Sequence, residues 1–307
     1  MTSPCSLCQR TTAHEPYFEQ GHDWEYGISG TFRQERCTTC GLIAMVPMPD
    51  PETVLSYYPS TYHGYQPASS ALTRWLIAHD LRRRARMYRR MIGSKGAVLD
   101  VGAADGAHFD VWKTVGEWDI SGFEFNDDVA RQARAGGRDV ATATMETFDA
   151  QGKTFDLIIM NHLLEHVPDP RGTAECAYAL LAPGGWLVGE VPNVRSVDRM
   201  IMGSFWGGCH WPRHLHQFSP RTLRALFTAV GFERPKFSWL LRTDHWALSV
   251  QNLLQSFRLT RTTLRNGRAW YYAPLLGCFI PLNVMQMCFG LTGVMGFSAR
   301  KPGSRVT

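Results

Sequence analysis

The amino-acid sequence predicts an α/β protein with a doubly wound, mostly parallel sheet that follows a small cysteine-rich module. From Ala97 onward, short apolar runs alternate with helical segments, which implies crossover connections and a sheet covered on both faces. The first 40 residues carry two Cys-x-x-Cys motifs, a pattern typical of metal binding. The 307 residues, 44% of them hydrophobic, supply enough apolar material for a large core with an appendage and exclude a disordered chain.

Residues 1–60 are predicted to form a zinc ribbon. Its candidate ligands are the thiols of Cys5, Cys8, Cys37 and Cys40. The two-residue spacer within each motif lets a tight turn aim both sulfurs at one ion, and four thiolates close a tetrahedral site without an open position. We therefore expect a structural rather than a catalytic Zn²⁺. A redox-active cysteine pair and four unrelated buried cysteines are the alternatives.

Charge and targeting signals restrict the partners and the compartment. Lys and Arg outnumber Asp and Glu by 32 to 27, and the net charge of +5 suits anionic substrates or membrane headgroups without by itself indicating nucleic acid. Residues 1–20 lack the apolar segment of a secretory signal, and paired cysteines favour a reducing compartment. We expect a cytoplasmic protein whose oligomeric state the sequence leaves open.

Residues 61–95 are predicted to form a helical linker. Apolar residues recur at helical spacing between 70 and 92, among them Leu76, Leu81 and Met91. The run 81–90 is rich in arginine and predicts a solvated helix face, with phosphate binding as the alternative.

The α/β domain is predicted to span residues 96–307. Its first strands are expected at 98–101, 120–125, 155–160 and 185–191, with helices near 107–115, 127–135 and 171–182. A helix over 220–230, a strand over 236–241 and a helical segment over 244–268 follow. Helices between consecutive strands are the crossovers that a parallel sheet requires.

A helical, apolar insertion is predicted at about 244–290 within this domain. Residues 269–299 contain no formal charge, yet prolines and glycines interrupt them and argue against a transmembrane helix. Just upstream, four arginines recur at helical spacing and would share one face: Arg258, Arg261, Arg265 and Arg268. A basic face beside an apolar segment predicts peripheral contact with the inner face of the membrane through 258–290. A solvated helix packed over the insertion and a dimer contact are the alternatives.

The segment 98–106, VLDVGAADG, indicates a ligand site. A buried strand carries Asp100 near its end, and a turn of small residues then opens a helix, which lets a ligand approach the backbone. The dinucleotide fingerprint G-x-G-x-x-G is absent, because Ala104 and Ala107 replace its second and third glycines. Glu124 ends the next strand about twenty residues later, where a carboxylate can accept both hydroxyls of a ribose.

Four parts of the chain, in this order, resemble class I S-adenosylmethionine-dependent methyltransferases. They are Leu99–Gly106 for motif I, Glu124 for the acidic residue of motif II, Met160–Pro170 for the segment after the fourth strand, and Leu180–Gly185 for the turn before the fifth. The resemblance covers residues 95–235 and the final strand at 293–301. It implies a seven-stranded, Rossmann-like sheet that binds S-adenosylmethionine.

A narrower resemblance comes from the ribbon, Tyr57-Tyr58 and the segment His210–Ser219. Together they are similar to bacterial methyltransferases of sugar and cell-surface glycan biosynthesis. Some such relatives are sugar C-methyltransferases with a further carboxy-terminal domain, which we do not expect within these 307 residues, so their substrate and catalytic residues are not carried over. One departure from the family is Ala104, where a glycine is usual.

The family resemblance also implies which residues meet the cofactor. The backbone at Gly102 and Gly106 would pass the methionine moiety, and Glu124 would hold the ribose hydroxyls. Residues after the second and third strands would line the adenine pocket, and Asn161 would lie beside the sulfonium. The full set of candidates is Asp100, Gly102, Ala103, Gly106, Glu124, Phe125, Met145, Glu146 and Asn161.

Catalysis is predicted to use a histidine base. A sugar or alcohol hydroxyl is a poor nucleophile, so a nearby imidazole is the natural acceptor of its proton. The loops after the fourth and fifth strands belong to the carboxyl edge of the sheet, where the substrate is expected. They supply His166, His214 and His216, with Glu165 as the alternative base. For each histidine, a packed or capping imidazole is the competing interpretation.

The sequence therefore predicts methyl transfer from S-adenosylmethionine to a small molecule. The expected acceptor is a hydroxyl, or a carbon, of a sugar, a nucleotide-sugar or a lipid-linked glycan intermediate. One alternative is an RNA methyltransferase that grips nucleic acid with its ribbon, although residues 1–40 carry only Arg10, Arg33 and Arg36 as basic contacts for phosphate. The other alternative is a non-catalytic protein that binds the cofactor.

Overall fold

The computed structural model describes residues 3–59, 71–260 and 267–303. Its amino-terminal part is a module of short strands and one helix. They are β1 (Ser3–Pro4), β2 (Thr11–Thr12), β3 (His14–Gly21), β4 (Phe32–Cys37), β5 (Ile43–Met45) and α1 (Pro51–Ser56). Strands β1 and β2 pair with each other, and β3, β4 and β5 form an antiparallel sheet.

Helix α2 (Ala71–Ile92) precedes the central sheet and packs on it. Ala85 and Tyr88 are buried against the sheet. Five arginines of the predicted solvated face are exposed: Arg82, Arg83, Arg86, Arg89 and Arg90. Arg84 is buried instead and pairs with Glu190, so the arginine run is divided between a solvent-facing side and a buried ion pair. Residues 61–70 of the predicted linker lie outside the described residues.

The strands after α2 build the central sheet. They are β6 (Lys95–Val101), β7 (Glu117–Glu124), β8 (Val140–Thr142), β9 (Phe155–Asn161), β10 (Leu181–Pro192), β11 (His216–Gln217), β12 (Glu233–Trp239) and β13 (Val294–Arg300). All but β11 form a seven-stranded sheet in the order β12-β13-β10-β9-β6-β7-β8. Neighbours run parallel except that β13 is antiparallel to both β10 and β12. This confirms the predicted α/β fold with a mostly parallel sheet.

Helices cover both faces of this sheet. Those after α2 are α3 (Ala107–Trp112), α4 (Asp127–Ala135), α5 (Pro170–Leu180), α6 (Val197–Met202), α7 (Pro220–Val230), α8 (Asp244–Ser256), α9 (Tyr272–Cys278) and α10 (Ile280–Phe289). Along β9, Leu157 and Ile159 pack with α2, α3 and α4, whereas Ile158 and Met160 pack with α5 and α7. All four side chains are fully buried, and burial of such a side chain contributes about 1.5–3 kcal/mol. The continuous apolar run of β9 is what a strand buried on both faces requires.

The amino-terminal sheet includes a strand from the other part of the chain. Strand β11 pairs with β5, with His216 opposite Ala44 and Gln217 opposite Ile43. The resulting sheet has the order β11-β5-β4-β3. The predicted boundary at residue 60 therefore follows the chain order, but hydrogen bonds of one sheet join the two sides of it.

The helical segment predicted over 244–268 is shorter in the structure. Helix α8 ends at Ser256, and Arg258 has φ 56°, a left-handed conformation that a right-handed helix excludes. Arg268 is turned inward and its Nη1 atom lies 2.6 Å from Glu25 Oε2. The prediction of one basic helix face is therefore wrong for Arg258 and Arg268, while Arg261 and Arg265 lie outside the described residues.

Helices α9 and α10, between β12 and β13, carry exposed apolar side chains. Ile280, Val284, Met285 and Phe289 are between 46% and 73% exposed. Within the described ranges, no helix by itself is both long and apolar enough to cross a membrane. Together, α9 and α10 meet the length and composition criteria, with a bend of 50° between them.

Candidate active site

The turn after β6 forms the predicted cofactor loop. The amides of Gly102 and Ala103 both donate to the carbonyl oxygen of Phe123 at 3.0 Å, which fixes the loop against the end of β7. Gly102 and Gly106 have φ values of 76° and 64°, in the left-handed region that glycine adopts without strain. Ala104 takes φ 48° in the same region, at a cost of about 1–2 kcal/mol. The loop therefore forms with alanine at the position where the family usually has glycine.

The carboxylate of Glu124 lies beside this loop at the end of β7 and is 4% exposed. Its two oxygens accept from the backbone amides of Ala104 and Asn126, each at 3.1 Å. Burial raises the pKa of Glu124 above its usual value, although these two hydrogen bonds act in the opposite direction. Each oxygen has a second acceptor position, which leaves one for each hydroxyl of a ribose. This donor set fits the predicted cofactor.

Two further candidates for the cofactor site lie at the ends of β6 and β9. The Asp100 carboxylate is buried, and its Oδ2 atom lies 2.7 Å from Nε2 of His108 at the start of α3. Asn161 is the last residue of β9 and is half-buried. The contact between Asp100 and His108 ties the end of β6 to the start of α3 and so orders the loop between them.

Tyr58 links the predicted adenine side to the predicted catalytic side. Its ring packs edge to face against Phe125 with 5.7 Å between centroids, and its hydroxyl lies 2.8 Å from Nδ1 of His166. Phe125 is 39% exposed. In the turn after β8, Met145 is buried and Glu146 is exposed. An aromatic pair and a buried methionine at this edge are suitable surfaces for an adenine ring.

A cavity of about 340 Å³ opens beyond the carboxyl end of β9. It is formed by the segment after β9, the segment between α6 and β11, and the start of α8. The lining residues are His162, His166, Gly207, His210, His214, Arg242, Asp244, His245, Leu248, Arg268 and Tyr272. Most of the lining side chains carry a polar group, and five of them are histidines, two of which were predicted as candidate bases.

His166 and His214 lie next to each other with 4.6 Å between ring centroids. Nδ1 of His166 lies 3.1 Å from the Arg213 carbonyl oxygen, and Nδ1 of His214 lies 2.8 Å from that of Gly208. Because a carbonyl oxygen only accepts, both Nδ1 atoms donate and both Nε2 atoms keep a lone pair. Burial lowers the pKa of both rings, and neighbouring His166 and His210 help to hold the pKa of His214 well below its usual range. Both imidazoles are therefore neutral at pH 7.

Glu165 is fully buried beside these rings. Its Oε1 atom lies 3.0 Å from Nδ1 of His162, and its Oε2 atom has no hydrogen-bond partner among the described residues. Burial disfavours the charged form of His162, but the hydrogen bond to Glu165 and the charge of Glu190 raise the pKa of this imidazole. One carboxylate oxygen of Glu165 and one nitrogen each of His166 and His214 lie within 4.8 Å of one another.

His216, predicted as a candidate base, does not line the cavity. It is fully buried in β11, where Nδ1 lies 3.1 Å from the Val167 carbonyl oxygen and Nε2 lies 3.0 Å from the Ser6 hydroxyl. Burial lowers the pKa of His216 to about 4. Both ring nitrogens are engaged, so we correct the prediction: His216 holds the cysteine-rich module against the segment after β9.

Several cavity residues were not predicted from the sequence. Asp244 and His245 begin α8 soon after β12. Because β12 runs parallel to β10, polar residues that follow it lie at the carboxyl edge of the sheet, where ligands bind, and this could have pointed to them. Arg268 and Tyr272 have no such signal, because they reach the cavity only through the packing of the insertion.

The segment between α6 and β11 rests on two carboxylates of the amino-terminal module. Arg213 is fully buried, with Nη2 2.9 Å from Asp23 Oδ1, and Nδ1 of His210 lies 2.5 Å from Glu25 Oε1. Arg268 approaches the other oxygen of Glu25. Loss of one partner in a buried ion pair costs about 3–5 kcal/mol, because the other charge is left uncompensated. The module therefore positions this wall of the cavity.

The four predicted zinc ligands form one cluster in the module. The sulfurs of Cys5 and Cys40 are 3.5 Å apart, those of Cys8 and Cys37 are 3.9 Å apart, and all four lie within 4.8 Å of one another. All four are free thiols. Sulfurs at about 2.3 Å from a tetrahedral zinc ion lie about 3.8 Å apart, so the donor type and the spacing fit structural zinc.

The part of the chain that forms the central sheet is similar to known methyltransferases. A family model described as a methyltransferase domain matches residues 75–234, just over half of the chain. The ubiquinone biosynthesis O-methyltransferase of Paraburkholderia phymatum is 26% identical over 177 residues, which cover 54% of this chain and 73% of that protein. The protein of the same name from Bordetella avium is 30% identical over 149 residues, which cover 44% of this chain and 61% of that protein. The solved O-methyltransferase segment of StiE has a similar fold, with a TM-score of 0.50 and 13% identity over 81% of this chain and 83% of that one.

Proposed function

The chain belongs to the methyltransferase domain family and is an S-adenosylmethionine-dependent methyltransferase, and from this premise we propose that it methylates a hydroxyl group of a small, polar acceptor. One observation carries the proposal: His166 and His214 are neutral imidazoles with free Nε2 lone pairs at a cavity on the carboxyl edge of the sheet. A hydroxyl needs such a proton acceptor, whereas a neutral amine attacks through its own lone pair and needs it less. The curated relatives are named O-methyltransferases, which supports oxygen as the acceptor atom.

The cofactor would be held by the loop after β6 and by Glu124. The exposed backbone at Gly102 leaves room for the methionine moiety, and the free acceptor positions of Glu124 suit the ribose hydroxyls. When bound, S-adenosylmethionine supplies a methyl group on a positively charged sulfur, which makes it reactive toward nucleophiles. Asn161, at the end of β9, lies between this region and the segment that carries His166.

In this account His166 is the base and His214 orients the acceptor. The hydroxyl proton passes to Nε2 of His166, whose Nδ1–H continues to donate to the carbonyl oxygen of Arg213. The buried carboxylate of Glu165 favours the imidazolium that forms, because its charge raises the pKa of His166 against the effect of burial. Glu165 thus assists His166 in this proposal, whereas the sequence analysis considered Glu165 as the alternative base.

A sugar, nucleotide-sugar or glycan precursor suits the cavity better than an apolar acceptor. Arg242 and Asp244 offer charges of both signs, and Oδ1 of Asp244 and Nδ1 of His245 have no hydrogen-bond partner among the described residues. Unpaired buried polar atoms favour a ligand that carries several hydroxyl groups. RNA finds less support, because Arg36 in the cysteine-rich module is already paired with Glu15.

Two further parts of the proposal concern the surroundings of the site. The cysteine cluster would hold a structural Zn²⁺, and four free thiols suit a reducing compartment such as the cytoplasm.

The exposed apolar side chains of α9 and α10 would contact the inner face of the membrane, within the predicted region 258–290. Contact with a membrane would favour a lipid-linked acceptor over a freely diffusing one.

The proposed function is tested by methyl transfer with isotope-labelled S-adenosylmethionine. The purified chain is incubated with hydroxylated sugars, nucleotide-sugars and lipid-linked glycan extracts, and the products are analysed by mass spectrometry. We expect a labelled methyl group on oxygen in one of these polar classes. Label found only in RNA, or only on carbon or nitrogen, would contradict the proposal.

A further inference from the structure

We propose that Glu165, His166 and His214 form a binding site for a divalent transition-metal ion, separate from the cysteine cluster. Two imidazole nitrogens and one carboxylate oxygen converge within 4.8 Å at the wall of the cavity. Three protein ligands of this type, with remaining positions open toward a cavity, are the donor set of a catalytic zinc site. Imidazole ligands favour zinc and its transition-metal neighbours over magnesium or calcium, which prefer oxygen.

The buried oxygen of Glu165 is the independent observation that points to a cation. Glu165 is 0% exposed, and its Oε2 atom has no hydrogen-bond partner among the described residues. An unpaired carboxylate oxygen in the interior is costly, and buried charges are normally paired or bound to a metal. The other oxygen is held by Nδ1 of His162, which fixes the orientation of the carboxylate and leaves Oε2 as the free ligand atom.

Both imidazoles are oriented as metal ligands are. The Nδ1 atoms of His166 and His214 donate to the backbone carbonyl oxygens of Arg213 and Gly208. A ligating histidine usually gives its second N–H to a carbonyl or carboxylate, which fixes the tautomer and aims the other nitrogen at the ion. Ligand atoms around a tetrahedral zinc ion lie about 3.4 Å apart, and the three ligand atoms already lie within 4.8 Å of one another, so small side-chain shifts bring them to that spacing.

An ion at this place would change how the acceptor loses its proton. A bound cation lowers the pKa of an oxygen that coordinates to it, so the hydroxyl proton would pass to water and the His166 ring would stay a ligand. This use of the ion rests on the proposed hydroxyl acceptor. Binding of the ion does not, because it follows from the three side chains alone.

Zinc stoichiometry of the full chain tests the inference. Wild type and variants are equilibrated with buffered Zn²⁺, and bound zinc is measured by mass spectrometry and by calorimetric titration. We expect two zinc ions per chain in wild type, one in Glu165→Gln and in His214→Ala, and two in His245→Ala, whose histidine lines the same cavity outside the cluster. Cys8→Ser should lose the other ion. Thermal unfolding and S-adenosylmethionine affinity show that each variant is folded.

The outcomes separate this inference from the proposed function. A wild-type chain that binds only one zinc ion, a Glu165→Gln variant that keeps both, or a His245→Ala variant that loses one would overturn the metal site. If such a chain still methylates a hydroxyl, His166 acts directly as the base and the proposed function stands. Two zinc ions in wild type without methylation of any hydroxyl would support the metal site and refute the function.

Discussion

At the residue scale, the site depends on which atom of each polar side chain is already engaged. His166, His214 and His216 are all at least half-buried, yet they differ in what their Nε2 atoms meet. In His216 that nitrogen lies 3.0 Å from the Ser6 hydroxyl, whereas in the other two the nitrogen engaged by a described backbone carbonyl oxygen is Nδ1. The sequence nominates all three as bases, because spacing shows where a histidine lies in the chain and not which nitrogen is free.

Glu124→Gln is expected to weaken binding of S-adenosylmethionine. A hydrogen bond to a charged group contributes about 1.5–3 kcal/mol, so the dissociation constant should rise by about 10- to 150-fold. Calorimetry measures it, with Glu117→Gln as the matched control, because Glu117 is exposed at the opposite end of the same strand. Equal affinities of Glu124→Gln and wild type would remove Glu124 from the cofactor site.

The affinity for the cofactor should also depend on pH through Glu124. Burial raises the pKa of this carboxyl, and only the ionised form accepts hydrogen bonds from both ribose hydroxyls. Affinity should therefore decline as the pH falls, and the decline should begin at a higher pH than the usual glutamate pKa of about 4.3 would give. Titrations at several pH values test this, and the Glu124→Gln variant should lose the dependence. A pH-independent wild type would count against the assignment.

At the scale of elements, the amino-terminal module supports one wall of the cavity. Strand β11 completes its sheet, and Asp23 and Glu25 hold the segment that precedes β11 through Arg213 and His210. A cluster whose ligands are closed around one ion stabilises the fold of a small module that has little core of its own. The zinc ion proposed for the cysteine cluster therefore supports the cavity wall by stabilising the module, and it takes no part in the reaction.

Cys8→Ser is expected to loosen both the module and this wall. Loss of one thiolate opens the cluster, so hydrogen exchange should increase in residues 3–45 and 207–217. Cofactor affinity should change by less than about threefold, because the loop after β6 belongs to the central sheet. Cys278→Ser, at an exposed cysteine outside the cluster, is the control. Increased exchange confined to residues 3–45 would show that the module does not support the cavity.

The sequence predicted the positions of helices and strands better than it predicted which strands pair with each other. The strand over 155–160 and the helix over 127–135 agree with β9 and α4, because buried apolar runs and helical spacing are local signals. The pairing of β11 with β5 has no local signal, since two residues show no periodicity. The end of α8 was missed because Arg258 ends the helix in a left-handed turn, closed by the amide of Leu259 donating to the Leu254 carbonyl oxygen, and arginine is not a residue type that signals this conformation.

At the scale of the whole molecule, the candidate site combines parts of the chain that are distant in sequence. The proposed cofactor edge rests largely on motifs within residues 99–124, which are continuous in the sequence and can be recognised there. The cavity also needs Glu25 of the module and Arg268 of the insertion, whose side chains meet across 243 positions. Such long-range ion pairs leave no pattern in a single sequence, so the far wall of the cavity could not be predicted.

The exposed helices of the insertion should bind the chain to membranes. Met285→Glu combined with Phe289→Glu places charges on the apolar face of α10 and should lower binding to anionic phospholipid vesicles by at least about tenfold, since burial of each side chain contributes about 1.5–3 kcal/mol. Co-sedimentation measures the bound fraction. Met87→Glu, at an exposed methionine of α2, is the control. A wild-type chain that stays in the supernatant would refute membrane contact.

The most direct test of the proposed mechanism is the turnover of His166→Ala with an identified acceptor. Loss of the proton-accepting group should lower kcat by about 10²–10⁴, while the dissociation constant of S-adenosylmethionine changes by less than about twofold. His79→Ala, at an exposed histidine of α2, should behave like wild type. We predict transfer of the methyl group to oxygen and this separation of turnover from cofactor affinity. Full turnover in His166→Ala, or a methyl group on carbon or nitrogen, would contradict it.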